Sequence, residues 1–274
     1  GTISPERSET ISGDSHRARA LKWRPEKFED VIGQPHVVRT LRNAIAAGRT
    51  GQAYLFTGPR GVGKTTCARI LARAVNCEAG AGADPCGACP TCKDFLSGRA
   101  LDLIEIDAAS TGKAENVRDL TEVVRLAPAR ARRKVIIIDE VHAMSAQAFN
   151  ALLKTLEEPP AHVLFVLATT DPDDVPATIQ SRCQRFDFRP LGPATLAAQL
   201  KKIAAAEGIG IEEPAVTVIA RAARGAMRDA QMLMEQAAAY AKGPVTAAEV
   251  RNLMGLVEAD WVARFLAVLK DRDL

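Results

Sequence analysis

The stretch AYLFTGPRGVGKTTCARIL, residues 53–71, constrains the fold of this 274-residue chain more than any other. An apolar run of strand length leads into a glycine-rich loop that carries G-x-x-x-x-G-K-T as Gly58 to Thr65, and a helical pattern follows. The glycines let backbone N–H groups curl around phosphate at the positive end of the helix. The predicted cradle is therefore Gly58, Pro59, Arg60, Gly61, Val62, Gly63, Lys64, Thr65 and Thr66. Lys64 would reach the β- and γ-phosphates of a nucleotide, and the Thr65 hydroxyl would ligate Mg²⁺.

Such a loop belongs on a parallel sheet, and the chain supplies the strands. AYLFTG, LDLIEID, KVIIID, HVLFVLATT and QRFDFRP alternate with helical stretches through to Pro190. This alternation predicts an α/β fold with a five-stranded parallel sheet covered by helices on both faces. Within KVIIIDEVH, the β-branched residues Val135 to Ile138 make a buried central strand that ends in Asp139 and Glu140. At the carboxyl end of that strand, Asp139 can hold the Mg²⁺ shell while Glu140 polarises an attacking water. His142 reads as a packed or hydrogen-bonded structural residue.

Composition sets the outer limits. With 36 basic and 33 acidic residues, the charge is too even for wholesale nucleic-acid binding, and no apolar run reaches membrane-spanning length. A cytoplasmic protein with reduced thiols is expected, with no membrane partner. Residues 1–18 have little apolar content and read as a flexible arm, and 19–190 as the α/β core. Beyond it, 191–255 is rich in Ala, Leu and Met. Its three helical patterns, separated by EGIGIEEP and AKGPVT, suit a small helical domain. The amphipathic stretch 256–274 lacks a capping signal and reads as the start of a further domain.

Cys77, Cys86, Cys89 and Cys92 form two overlapping CxxC units with a fourth thiol upstream, a spacing suited to Zn²⁺. If the helix after the loop runs from Lys64 to Asn76, its rise of about 1.5 Å per residue puts Cys77 on the order of 20 Å from the phosphates. Four thiolates leave no open position for water, so the predicted site is structural, a clip on an insertion at about residues 77–92. Cys67 and Cys183 read as small buried residues.

The box DEVHAMSAQAFNALLKTLEEPP, the strand VLFVLATTDP and the triplet Ser181-Arg182-Cys183 resemble the clamp-loader branch of the AAA+ ATPases. With the cysteine cluster, the chain is similar to the gamma/tau family of bacterial DNA polymerase III subunits. The resemblance implies ATP as the nucleotide, a helical lid over residues 191–255, a zinc-binding insertion, and an oligomerisation domain beginning in 256–274. It assigns catalysis to Lys64, Asp139, Glu140 and Arg182, with Arg182 reaching the ATP of a neighbouring subunit. Either Thr169 or Thr170 matches the polar sensor of the γ-phosphate, and Arg228 matches a second sensor on the lid. Arg24, Pro25 and the segment 31–34, with Val31 and Ile32, match the stretch that packs around adenine.

The partners so implied are other clamp-loader subunits, the sliding clamp and primed DNA, with polymerase and helicase for the full-length protein. Lys113 and Lys154, at two expected helical starts, match cations facing DNA phosphates, whereas the basic run 125–134 reads as a solvated connection. The expected activity is ATP binding and hydrolysis coupled to opening and loading of the clamp. Two alternatives remain at this point. One is a non-hydrolysing structural clamp-loader subunit, which would have no need of Lys64, Thr65, Asp139 and Glu140. The other is a further AAA+ ATPase such as a branch-migration helicase, in which the Ser-Arg-Cys triplet and cysteine cluster are not expected.

Overall fold

The computed structural model describes residues 22–80, 82–111, 120 and 122–255. The predicted arm at 1–18, the stretch 256–274 and Lys113 lie outside the described residues. The described residues divide into two compact units, 25–190 and a second comprising 22–24 with 191–255.

The first unit is built on five strands: β1 (Ala53–Thr57), β2 (Leu103–Asp107), β3 (Lys134–Asp139), β4 (Val163–Thr169) and β5 (Gln184–Asp187). All pairs are parallel, in the order β2-β3-β4-β1-β5. The register sets Thr57 beside Thr169 and Ile138 beside Leu167, so β1, β3 and β4 finish at one edge of the sheet. Alternate side chains enter two apolar layers. Tyr54, Phe56, Val135, Ile137, Leu164, Val166 and Ala168 face one, and Leu55, Ile136, Ile138, Phe165 and Leu167 face the other. Burial on both faces explains why these strands read as unbroken apolar runs.

Helices α1 (Pro35–Ala46) and α2 (Lys64–Asn76) cover the first face through Val37, Leu41, Cys67, Ile70 and Leu71. A short helix, α3 (Pro90–Leu96), lies in the cysteine segment, and further along the chain α4 (Ala146–Glu157) covers the second face with Ala148, Phe149, Leu152 and Leu156. Ser145 caps α4 by accepting the Ala148 N–H at 3.2 Å.

In the second unit, α5 (Pro193–Glu207), α6 (Glu213–Ala222), α7 (Met227–Tyr240) and α8 (Ala247–Leu253) bury Leu196, Leu200, Val216, Ile219, Met234 and Val250. The three helical patterns read from the sequence thus become four helices among the described residues. Arg224 and Gly225 take φ of 49° and 89°, and two successive left-handed residues break what looks in sequence like one alanine-rich run. Residues 22–24 also group with this unit rather than with the α/β core, because Lys22 Nζ and Trp23 Nε1 donate to Glu207 Oε1 at 2.6 and 2.9 Å.

Gly58 shows how tightly the loop is seated. At φ +137°, a Cβ built there would lie 2.4 Å from the Phe188 carbonyl oxygen, a backbone atom that cannot move aside. Gly58→Ala should therefore lose at least about 1–3 kcal/mol of stability, read as a lower urea midpoint for unfolding of the 25–190 unit.

Candidate functional site

The loop after β1 turns on Gly63, which caps α2 at φ 105° and lets the first-turn N–H groups of that helix point into the loop. Lys64 is nearly buried, and its ammonium donates to the carbonyls of Gly58 at 2.6 Å and Pro59 at 2.8 Å. Burial pulls the Lys64 pKa below its ordinary value, and the charges of Glu140, Asp139 and Asp171 oppose that shift. A buried ammonium with a carboxylate group beside it suits a site that handles a polyanion with its metal ion. Arg60 is exposed on the loop, and Val62 is buried beneath it.

The acidic pair meets the loop directly. Thr65 Oγ1 donates to Asp139 Oδ2 at 2.6 Å, joining the start of α2 to the end of β3. Glu140 follows with φ 49°, a left-handed conformation uncommon for this residue type, and its N–H donates to Asp139 Oδ1 at 3.0 Å. Strained backbone of this kind is retained where the surrounding structure holds it, and here it turns the chain sharply at the sheet edge.

The two threonines at the end of β4 differ. Thr169 is fully buried. Its Oγ1 accepts the Asp171 N–H at 3.0 Å and lies 2.9 Å from His142 Nδ1. Thr170 Oγ1 instead lies 3.2 Å from Glu140 Oε2 and 2.6 Å from Asp171 Oδ2. His142 thus sits among Thr169, Glu140 at 3.5 Å and Asp171 at 3.6 Å. The hydrogen bond to Thr169 agrees with the reading of His142 as a hydrogen-bonded structural residue, whereas the sequence alone assigns Asp171 no part. The available signal for Asp171 was its position, one residue after Thr170.

Arg182 lies on the turn after Ile179 with a partly exposed side chain. Its Nη1 donates to the Thr178 carbonyl and its Nη2 to Glu157 Oε1, each at 2.8 Å. Val31 and Ile32 are half-buried, and Val31 packs against the apolar layer that contains Val62 of the loop.

At the far end of α2, Cys77 follows the last helical residue, Asn76. The Sγ atoms of Cys77, Cys86, Cys89 and Cys92 all lie within 4.8 Å of one another. Zn–S bonds of about 2.3 Å in a tetrahedron require sulfurs about 3.8 Å apart, so this donor set fits a soft cation. Amide N–H groups already turn toward the sulfurs, from Cys86 to Cys77, from Ala88 and Cys89 to Cys86, and from Cys92 to Cys89, at 3.3–3.4 Å. The amides of Cys89 and Ala88 pull the Cys86 thiol down to about 6, which favours the thiolate a metal requires.

Comparison with known proteins matches these features to one family. A family model described as "DNA polymerase III, delta subunit" matches residues 33–192, more than half of the chain. A second, "DNA polymerase III clamp loader subunit, ATPase lid domain", matches residues 195–243. DNA polymerase III subunit gamma of Buchnera aphidicola subsp. Baizongia pistaciae is 42% identical over 255 residues, covering 93% of this chain and 69% of the relative. The chain belongs to the DNA polymerase III gamma/tau family.

Among the longer gamma/tau relatives, the tau subunit of Salmonella typhimurium is 49% identical over 257 residues, which cover 94% of this chain. The tau subunit of Escherichia coli is 51% identical over 246 residues, covering 90% of this chain. The chain spans 40% and 38% of the length of these two relatives. In fold it is similar to the Thermotoga maritima RuvB Holliday junction branch migration motor, with a TM-score of 0.61 at 22% identity, covering 86% of this chain and 72% of that one. The chain therefore pairs an α/β core that carries the glycine loop with a helical domain of the clamp-loader ATPase lid type.

Arg228 is exposed in the first turn of α7, and Arg24 belongs to the same unit. Lys154 is exposed in the last turn of α4 rather than at a helical start, because the helix begins eight residues earlier at Ala146. No helix among the described residues is long and apolar enough to cross a membrane.

Burial pushes the thiols of Cys67 and Cys183 up to about 12. Both should remain unmodified by iodoacetamide at pH 8 in the folded protein and react once urea unfolds it, as counted by mass spectrometry.

Proposed function

We propose that this chain is the ATPase part of a clamp-loader motor subunit, binding and hydrolysing ATP to open and load the sliding clamp on primed DNA. The observation that carries the reading is the Thr65–Asp139 contact of 2.6 Å with Lys64, Glu140 and Thr170 at the same sheet edge. Bound Mg²⁺·ATP supplies the electrophilic γ-phosphoryl group and the charge of the metal. Thr65 and Asp139 would hold the metal, Lys64 would contribute its ammonium to the phosphates, and the loop from Gly58 to Thr66 would cradle them with its backbone N–H groups, Pro59 supplying only its fixed turn. Glu140 orients and deprotonates the attacking water. Thr170 is the sensor, because its hydroxyl lies against Glu140, whereas the Thr169 hydroxyl is engaged by His142 and the Asp171 amide. Arg24, Pro25, Val31 and Ile32 are the residues for adenine, and Arg228 is the second sensor.

Arg182 acts in trans on the ATP of a neighbouring subunit. Its partial exposure supports this role, since the guanidinium rests on a surface carboxylate, a pairing worth at most about 1 kcal/mol that a developing phosphoryl charge can outbid. The cysteine cluster holds a structural Zn²⁺, which in so small a module contributes about 10–16 kcal/mol to folding. Partners are the other loader subunits, the clamp and primed DNA, with Lys154 and Lys113 as phosphate contacts, and for the whole protein polymerase and helicase, all in the cytoplasm. The domains follow as an AAA+ core over 19–190, a lid over 191–255 and an oligomerisation domain beginning at 256–274. The retained Lys64, Asp139 and Glu140 argue against a non-hydrolysing subunit, and the likeness to a branch-migration motor extends to fold alone.

Full-length protein mixed with its loader partners, clamp and primed DNA should turn over ATP, and the isolated chain only feebly. Arg182→Ala should lower the mixed rate roughly a thousandfold or more, and Glu140→Gln about 10²–10⁴-fold with ATP binding retained. Turnover of the isolated chain that equals the mixture and ignores Arg182 would sink the shared-site reading. Elemental analysis should find one zinc per chain, lost when Cys86 and Cys89 are both replaced by Ser.

A further inference from the structure

The backbone stretch 26–34, which carries Val31 and Ile32, is held at three points. Near its start, the Arg73 guanidinium of α2 donates to the Glu26 carbonyl. At its end, the fully buried Gln34 side chain brackets the backbone of Arg189, donating to its carbonyl at 2.7 Å and accepting its N–H at 3.0 Å. Between them, Asp84 Oδ1 accepts the Phe28 N–H at 2.6 Å, and Asp84 Oδ2 pairs with Arg42 of α1 at 3.0 Å. Phe28 itself is 0% exposed and shares the apolar layer of Val62 from the phosphate loop.

Two of these clamps come from the α/β scaffold. The third comes from the cysteine insertion, since Asp84 lies between Cys77 and Cys86. The reach from 84 back to 28 and 42 is not needed to wrap a metal, and no thiol takes part in it. The same insertion is tied to the scaffold by Arg132, whose Nη2 donates to the Cys77 carbonyl at 2.8 Å. Asp84 is only 17% exposed, so its ionised hydrogen bond to a main-chain N–H is partly shielded from water and stronger than a surface contact.

We propose that Asp84 is a positioning residue for the nucleotide base. It fixes Phe28, and through it Val31 and Ile32, so that the cysteine insertion sets base affinity from outside the phosphate cradle. This rests on the reading of Val31 and Ile32 as base contacts. The contact Asp84 makes is with backbone, so a substitution at Phe28 would not reveal it, but one at Asp84 does.

The test uses the full-length protein, Asp84→Ala and Asp84→Asn. Hydrogen exchange reports on 26–34, titrations with ADP and with inorganic tripolyphosphate report on base and phosphate binding, and metal analysis reports on the cluster. Loss of one charge-assisted hydrogen bond and its ion pair should weaken ADP about tenfold in Asp84→Ala. Exchange across 26–34 should accelerate, tripolyphosphate affinity and zinc content should hold, and Asn, which keeps an acceptor for Phe28 but loses the Arg42 pair, should fall between. Unchanged exchange in Asp84→Ala overturns the tether. Faster exchange with unchanged ADP affinity overturns the base-positioning role and leaves the phosphate cradle standing. Equal weakening of ADP and tripolyphosphate, or loss of zinc, makes Asp84 a general structural residue and overturns the proposal. Absence of ADP binding by the unmodified protein would sink the ATPase reading itself, and with it this role.

Discussion

The parallel register of β4 with its two neighbours is the constraint on which the rest depends. Thr57 pairs with Thr169 on one side of β4, and Ile138 with Leu167 on the other. Both faces of β1, β3 and β4 are buried and apolar, so a slip would expose no polar face; it would instead exchange the side chains packed against the helices on each side and move the strand ends out of line. Once the register is set, the glycine loop, the Asp139-Glu140 pair and the two threonines must leave the sheet at the same edge. The 2.6 Å contact between Thr65 and Asp139 spans 74 residues of chain and follows from that alignment.

Charge at this edge is balanced locally rather than by the molecule as a whole. Lys64 loses hydration on burial, and the carboxylates of Glu140, Asp139 and Asp171 oppose the resulting loss of its proton. Glu140, in its left-handed conformation, is met by Thr170 and His142, so its carboxylate has few orientations open to it. Side chains held in this way meet a developing charge without first reorganising, which is where a phosphoryl-transfer site gains most of its advantage.

Helix α2 joins two chemically unrelated sites. Its first turn carries Lys64 and Thr65, and its end delivers Cys77 to a cluster of soft donors. The cluster lies at the opposite end of α2 from Lys64, yet Asp84 brings the insertion back to the stretch that carries Val31 and Ile32. Helix α2, between the glycine loop and the cysteine insertion, gives the fold one firm axis. The insertion can then act on the nucleotide side only through the loops it touches.

Features whose signal is local were legible in the residues themselves. The five strands, the glycine loop, α2 from Lys64 to Asn76, the break after Pro190 and the cysteine spacing all depend on side-chain type within a few positions. The alanine-rich run around Arg224 hid a fourth helix of the second unit, because left-handed φ at a residue other than glycine leaves no mark in composition. The start of α4 was misplaced as well, since Ser145, its cap, is set by backbone geometry as much as by residue type. The separate environments of Thr169 and Thr170, the place of His142 between two carboxylates, the resting partner of Arg182 and the reach of Asp84 to Phe28 were decided by the tertiary structure alone. Each joins residues 25 or more apart in sequence or turns on which way one side chain points at a strand end. Neither is specified until the sheet has closed its register.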